Sequence, residues 1–311
     1  MIILMNNLMK YVPNIAKGRY IVAVSGGVDS VVLLNLLAKN KNLDLIVAHF
    51  DHGIRKDSHL DREFVQKLAE YYELKFEHKE GKLGAYASEE TARAKRYEFL
   101  HNLSKKYSAK IITAHHKDDV IETMIINILR GTGRRGLTSL KDTKSILRPF
   151  LDISKKQLVS YAQMNNLEWR EDPTNENTKI LRNYIRHELI PKMVNRDKDV
   201  VNKLFLIHKN MIEVNKKIDM ELDEIAKQLG SVKNNQVILS RYSLVMLPVS
   251  VAKELVYLYL KELSGNLHFD EKQIERTVNF AKTAKSGKRM IASKNTYVTI
   301  NKDKVCLAKV D

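Results

Sequence analysis

Residues 20–24, Tyr-Ile-Val-Ala-Val, form an unbroken apolar run that ends close to a pair of glycines. Such a run, short and rich in β-branched residues, predicts a strand buried on both faces, as in a parallel sheet. From 29 to 39 the apolar residues Val31, Val32, Leu34 and Leu37 recur at helical spacing. The alternation then repeats, with strands predicted at 43–49, 74–78 and 109–114 and helices at 57–72, 87–107 and 118–130. Glu89 and Arg93 stand four apart, so an ion pair along the helix is expected to support the segment 87–107. Strands alternating with helices over about 130 residues imply βαβ units and a doubly wound parallel sheet of the α/β class. In such sheets ligands bind beyond the carboxyl ends of the strands.

The pattern breaks at Gly131-Thr132-Gly133-Arg134-Arg135-Gly136 and closes with Arg148-Pro149-Phe150. A helix is predicted at 154–165 with Ser154 as its N-cap, and a turn at Asp172-Pro173-Thr174-Asn175. A helix at 179–189 is expected to end or kink near Pro191, because proline removes a donor and crowds the preceding turn. The stretch 200–230 reads as a lysine-rich amphipathic helix, and 288–310 alternates like short strands. The expected organisation is therefore an α/β catalytic domain with linker helices at 1–195. A mainly helical domain with a few short strands follows at 196–311. Pro248, Lys253 and Glu254 interrupt the apolar stretch 244–260, so it does not read as a membrane span.

Composition changes the picture chiefly through charge. Lys and Arg number 53 against 37 Asp and Glu, a formal +16. A polyanion suits such a surface, and nucleic acid is the leading candidate. The lysine and asparagine usage of an AT-rich genome would raise the same count. Cys306, the single cysteine, excludes a disulfide framework and any metal site needing two thiolates. It fits a reducing cytosol, so a cytoplasmic location is expected.

Three motifs fall at the predicted carboxyl edge. Ser25-Gly26-Gly27-Val28-Asp29-Ser30 joins the first strand to the first helix. There, backbone N–H groups, a helix N-terminus and two hydroxyls converge on one point, a natural anion cradle. Asp29 suits that cradle if it holds a Mg²⁺ that phosphates share. Neither a Walker loop nor a G-x-G-x-x-G fingerprint is present. A capped Gly-Gly turn is the plainer alternative.

His49-Phe50-Asp51-His52-Gly53-Ile54-Arg55 follows the second strand and could serve a nucleotide or form an ordinary Asx turn. Thr113 to Thr123 carries His115, His116, Asp118, Asp119 and Glu122 into a helix, with Asp119 and Glu122 sharing a face. Acids there are favoured by the helix dipole alone, and His with carboxylate at this spacing can also bind zinc. Carboxylates beside a phosphate loop can also attract an amine and take its proton.

The six-residue loop in its strand-loop-helix setting resembles the phosphate loop of the N-type ATP pyrophosphatases. Further residues narrow that resemblance to the tRNA(Ile)-lysidine synthetase family. They are 22–30, 51–55, Thr91-Ala92-Arg93 with Arg96-Tyr97, 114–123, 130–133, Arg148-Pro149, 169–175 and 182–186. The match is close over roughly 18–195 and loose beyond.

The resemblance implies cleavage of ATP between its α and β phosphates. It further implies transfer of lysine to the wobble cytidine of an isoleucine tRNA with a CAU anticodon, through an adenylated base. Carried over by residue, Ser25, Gly26, Gly27, Val28, Asp29 and Ser30 would hold ATP, with Mg²⁺ at Asp29 and His115 nearby. Arg93 would assist adenylation, and Asp119 and Glu122 would receive the lysine ammonium. Arg182 and Arg186, four apart on one helix, would meet tRNA, although a solvated helix face explains them equally. The basic helical segment after Lys192, in the domain 196–311, would grip tRNA through phosphate contacts. Trp169 reads as a core residue. The implied partners are that tRNA and free L-lysine, with no membrane and, as an option, a second copy of the chain in a homodimer.

Rival readings are a tRNA thiolase, a small-molecule ligase and a non-catalytic RNA-binding module. The lone Cys306 speaks against the first and the +16 charge against the second. Asp29, Arg93, Asp119 and Glu122 together speak against the third.

Overall fold

The computed structural model describes residues 15–53, 57–84, 88–171, 176–230, 232–264, 269–293 and 295–309. Ile54, Arg55 and the turn 172–175 lie outside the described residues. The chain divides into two compact units, Met1–Ile212 and Glu213–Asp311. The sequence-based boundary at 195 falls ahead of that division, which lies inside one long helix.

Five parallel strands form the sheet of the first unit: β1 (Gly18–Ala23), β2 (Leu43–Asp51), β3 (Lys75–Glu80), β4 (Lys110–Ile112) and β5 (Ile146–Leu147). Their order is β3-β2-β1-β4-β5. The chain builds outward from β1 through β2 to β3, then returns to place β4 on the other side of β1. A parallel sheet that reverses direction in this way opens a crevice at the carboxyl ends of the two strands flanking the reversal. Those strands are β1 and β4, which carry the phosphate-loop motif and the His-Asp motif.

Both faces of the central strands are covered, which is why β1 reads as an unbroken apolar run, whereas the edge strand β3 is polar and largely exposed. On one face Tyr20, Val22 and Val47 pack with residues from α1 (Val28–Ala38), α2 (Ser58–Tyr71) and α5 (Lys155–Met164). On the other, Ile21, Ile46 and Ile111 meet Phe99, Leu100 and Leu103 of α3 (Glu89–Tyr107). Ser88 and Ser154 cap α3 and α5 by accepting from Thr91 and Gln157 N–H. Helix α4 (Lys117–Leu129) packs Ile121 and Ile125 against Ile185 and Phe205.

Pro191, expected to end or kink the helix, does not end it. The chain runs through α6 (Leu181–Tyr184), a π-helical turn (Ile185–Leu189) and α7 (Ile190–Arg196). Pro191 lies in the first turn of α7, directly after the π-helical turn. The widened π turn ahead of it takes up the misfit that a proline brings to a continuous helix.

Helix α8 spans Val200–Leu229. The second unit contains α9 (Arg241–Met246), α10 (Val249–Leu263) and α11 (Glu271–Thr283). It also contains β6 (Val232–Lys233), β7 (Gln236–Ser240), β8 (Arg289–Ser293), β9 (Thr296–Ile300) and β10 (Lys304–Lys309). These strands form one antiparallel sheet in the order β6-β7-β10-β9-β8. The alternating stretch at 288–310 thus forms three of its strands, while β6 and β7 come from residues just beyond the helical stretch 200–230, to which the pattern assigns no element. No helix among the described residues is long and apolar enough to cross a membrane.

Candidate active site

The phosphate loop owes its shape to one glycine and one serine. Gly26 has φ +97°, a left-handed conformation that side chains with a Cβ rarely adopt. Ser30 Oγ accepts from the N–H groups of Ser25 (3.2 Å) and Gly26 (3.3 Å) and donates to Gly27 O (2.9 Å). Ser30 therefore braces the loop from inside, while Ser25 Oγ accepts from Gly27 N–H at 3.4 Å. Gly27 is the N-cap of α1 and contributes no side-chain cap, so the first-turn N–H groups keep their donor capacity for an anion. From outside, Arg170 N–H donates to Gly26 O at 3.0 Å, and the Arg170 guanidinium pairs with Asp61. Trp169, next to Arg170, packs at the edge of the apolar core, as expected of it.

Beside the loop lies a cavity of about 390 Å³, walled by Ser25, Asp29, Ser30, Arg93, His115 and Asp119, among others. Its far wall includes His49, Asp51, His52 and Gly53 from the end of β2. His49 Nδ1 donates to Val24 O at 2.9 Å, tying β2 to the strand that carries the phosphate loop. Burial holds the His49 pKa below its ordinary value. Burial likewise pushes the His115 imidazole down to about 3, so it meets a ligand as a neutral ring, with Nδ1 bonded to Thr113 Oγ1 at 2.8 Å.

Arg93 does not form the expected helical pair with Glu89. It lies over the Tyr97 ring, 5.1 Å from the centroid, and Glu89 instead takes Arg182 Nε at 2.9 Å. Arg96 lies over the same ring and also lines the cavity.

The two carboxylates at the start of α4 occupy different surroundings. Asp119 accepts from His116 N–H at 3.0 Å, bracing the helix start, and lies 3.5 Å from His116 Nε2. Burial opposes its ionisation, but the charge of His116, the His116 N–H bond and the charge of Arg186 outweigh that and hold its pKa below the usual carboxylate range. Glu122, one turn on, is 1% exposed. Burial wins there, raising its pKa although arginines oppose it. Glu122 is absent from the cavity wall. Arg186 grips it with Nε–Oε1 at 2.6 Å and Nη2–Oε2 at 2.9 Å, and Arg182 Nη1 approaches Oε2 at 3.4 Å. The two arginines read from the sequence as a tRNA-facing pair thus both engage a buried glutamate.

Two residues to which the sequence assigns no role complete the cluster. His116 is 4% exposed in its side chain and lies 3.7 Å from Asp29 and 3.5 Å from Asp118. Burial disfavours its charged form, but Asp118, Asp119 and Asp29 together raise its pKa. Lys155 Nζ meets both oxygens of Asp29, at 2.9 and 2.7 Å. Among the described residues no group of three or more His, Cys, Asp or Glu side chains could hold a metal ion. A single carboxylate beside a phosphate loop still suits Mg²⁺, which keeps waters and takes phosphate oxygens for most of its shell.

The family model for the PP-loop domain matches residues 3–193. A tRNA(Ile)-lysidine synthase of Lactobacillus gasseri is 30% identical over 304 residues, covering 92% of this chain and 68% of that protein. One from Thermotoga maritima is 40% identical over 184 residues, covering 56% of this chain and 44% of that protein. The chain thus spans under half the length of the Thermotoga maritima relative. Among solved structures, a U34-tRNA thiolase, NcsA from Methanococcus maripaludis, shares the fold with a TM-score of 0.57 at 15% identity. The alignment covers 68% of this chain and 80% of that one. With the PP-loop model spanning its first unit and a relative aligned along nearly all its length, the chain belongs to the PP-loop family and, within it, to the tRNA(Ile)-lysidine synthases.

Proposed function

We propose that this protein joins L-lysine to the wobble cytidine of an isoleucine tRNA with a CAU anticodon, using ATP. The observation that carries the reading is one cavity walled by phosphate-loop residues, a fixed cation and a carboxylate: Ser25, Asp29 and Ser30, Arg93, and Asp119. In the first step the 2-oxygen of cytosine attacks the α-phosphorus of ATP and pyrophosphate leaves. Loop N–H groups and the Arg93 guanidinium face the charge that builds on the phosphates, and they are fixed before reaction begins. His115, neutral at any working pH, adds a hydrogen bond without adding charge. Asp29 is the residue that would hold Mg²⁺, which when bound would neutralise phosphate charge. A wobble base in a single-stranded loop can be unstacked to reach such a site at modest cost.

In the second step the lysine ε-amine attacks the activated carbon and AMP leaves. The amine arrives as an ammonium and must lose a proton to become a nucleophile. Environments that push two acids apart divide the labour between them. Asp119, held ionised, attracts the ammonium; Glu122, with its raised pKa, is the better proton acceptor. Lysine's ammonium replaces Arg186 on Glu122, and the released guanidiniums of Arg182 and Arg186 turn to tRNA phosphates.

The test is incubation of the protein with ATP, Mg²⁺, radiolabelled lysine and CAU-anticodon tRNA(Ile). Label in the tRNA together with lysine-dependent AMP formation supports the reading. Pyrophosphate release without label transfer would remove lysine as the nucleophile, and absence of both products would remove the reading altogether.

A further inference from the structure

Lys155 stands 126 residues from Asp29 in sequence, yet its Nζ spans both carboxylate oxygens at 2.9 and 2.7 Å. Its backbone is pinned to that place from two sides. Lys155 N–H donates to Asp118 Oδ2 at 2.8 Å, and Ile153 O accepts Lys117 N–H at 2.8 Å. Ser154, immediately before it, closes a capping box with Gln157. The start of α5 is therefore laced to the start of α4, which carries the amine-accepting acids. The long side chain then crosses to the phosphate loop. Nothing in apolar packing calls for this, because the Lys155 side chain is 43% exposed and its charge could remain in water.

An acid in the first turn of a phosphate-binding helix repels the anion the loop is built to hold. An ammonium laid across that acid cancels the repulsion, and lysine suits the task because its flexible stem lets one charge follow moving phosphates. We infer that Lys155 is a further catalytic residue, which leaves the Asp29 carboxylate to grip the β- and γ-phosphates of ATP and the departing pyrophosphate. The inference rests on the proposed cleavage of ATP between its α and β phosphates. In that step the cytosine oxygen bonds to the α-phosphorus and the bond to the bridging oxygen breaks. The electron pair stays on that oxygen, so pyrophosphate carries the added negative charge and Lys155 faces it. Arg93, on the cavity wall, remains with the α-phosphate, so the two cations serve opposite ends of the breaking bond.

The experiment reads product binding in the full-length chain, apart from turnover. Calorimetry gives the affinities of inorganic pyrophosphate and of AMP for the wild type, Lys155→Met, Lys155→Arg, Asp29→Asn and the Asp29→Asn/Lys155→Met double variant. Removing a charge-assisted hydrogen bond predicts pyrophosphate binding about tenfold or more weaker in Lys155→Met, with AMP binding within about twofold of wild type. Lys155→Arg retains most of the pyrophosphate affinity.

Direct contact with the anion also predicts that Lys155→Met still weakens pyrophosphate in the Asp29→Asn background, whereas action through Asp29 alone predicts no further weakening. Unchanged pyrophosphate binding in Lys155→Met overturns the inference, as does equal weakening of pyrophosphate and AMP. Wild-type protein that binds neither product overturns the ATP reading itself, a different failure from a wild type that binds both while Lys155→Met matches it.

Discussion

At Gly26 the backbone demand and the space available can be separated. A Cβ built there would meet Phe64 at 3.5 Å, an ordinary contact, so φ +97° and not a clash makes the site glycine-specific. Gly26→Ala is expected to cost about 1–2 kcal/mol of backbone strain. Much of it would be relieved by a shift of the loop, so ATP affinity should fall more steeply than thermal stability. Calorimetry beside a melting curve separates the two. Glu122 gives a second prediction at this scale. Below its pKa it holds a proton and cannot take one from lysine's amine, so burial moves the acid limb of lysine transfer upward. The limb should have its midpoint above the ordinary glutamate value of about 4.3, measured by single-turnover transfer onto pre-adenylated tRNA. A midpoint below that value would shift the proton-accepting role to Asp119, whose pKa is held low.

The segment from α6 through the π turn to α7 acts as an element through two guanidiniums facing one carboxylate. Arg186→Met would leave Glu122 buried with only the longer Arg182 interaction. The expected loss of stability is about 1–3 kcal/mol, seen as a lower urea midpoint and largely restored by adding Glu122→Gln. The loss should also depend on pH. Without Arg186 the folded chain keeps a proton on Glu122 that the unfolded chain gives up, so stability falls as pH rises past the ordinary glutamate value.

This element also marks where the sequence stopped being informative. Alternating strands and helices, and the phosphate loop between β1 and α1, were legible because apolar period and glycine placement are local. Two arginines four apart look the same whether they face water or a buried acid 60 residues away. Lys155 carried no signal beyond following an N-cap, because its partner Asp29 is brought to it only by the packing of α5 against α1. The π turn escaped because Pro191 suggests an ending, and only the preceding backbone shows how the helix continues past it.

Over the whole chain the positive excess is spread evenly between the two units, so net charge alone does not single out the surface that the proposed tRNA would meet. Residues 1–212 carry 36 Lys and Arg against 25 Asp and Glu, and residues 213–311 carry 17 against 12. Around the start of α8, Lys203 pairs with Asp197 and Lys209 with Asp152, so part of that basic stretch is already neutralised within the protein. A wobble base entering the cavity must bring its neighbouring phosphates over the carboxyl edge of the parallel sheet. Lys79, near the end of β3, and Lys82, beside Gly53 on the cavity rim, are exposed at that edge. Lys41 and Lys110 are exposed at the opposite edge, ahead of β2 and at the start of β4. Removing one lysine–phosphate interaction should flatten the plot of log affinity against log salt by about 0.7–0.9. Lys79→Gln/Lys82→Gln is therefore expected to flatten the slope for CAU-anticodon tRNA by about 1–2, while Lys41→Gln/Lys110→Gln leaves it unchanged. Filter binding across a potassium chloride series reads both pairs. Equal flattening by the two would mean that the net charge of the chain holds the tRNA without directing it to the cavity.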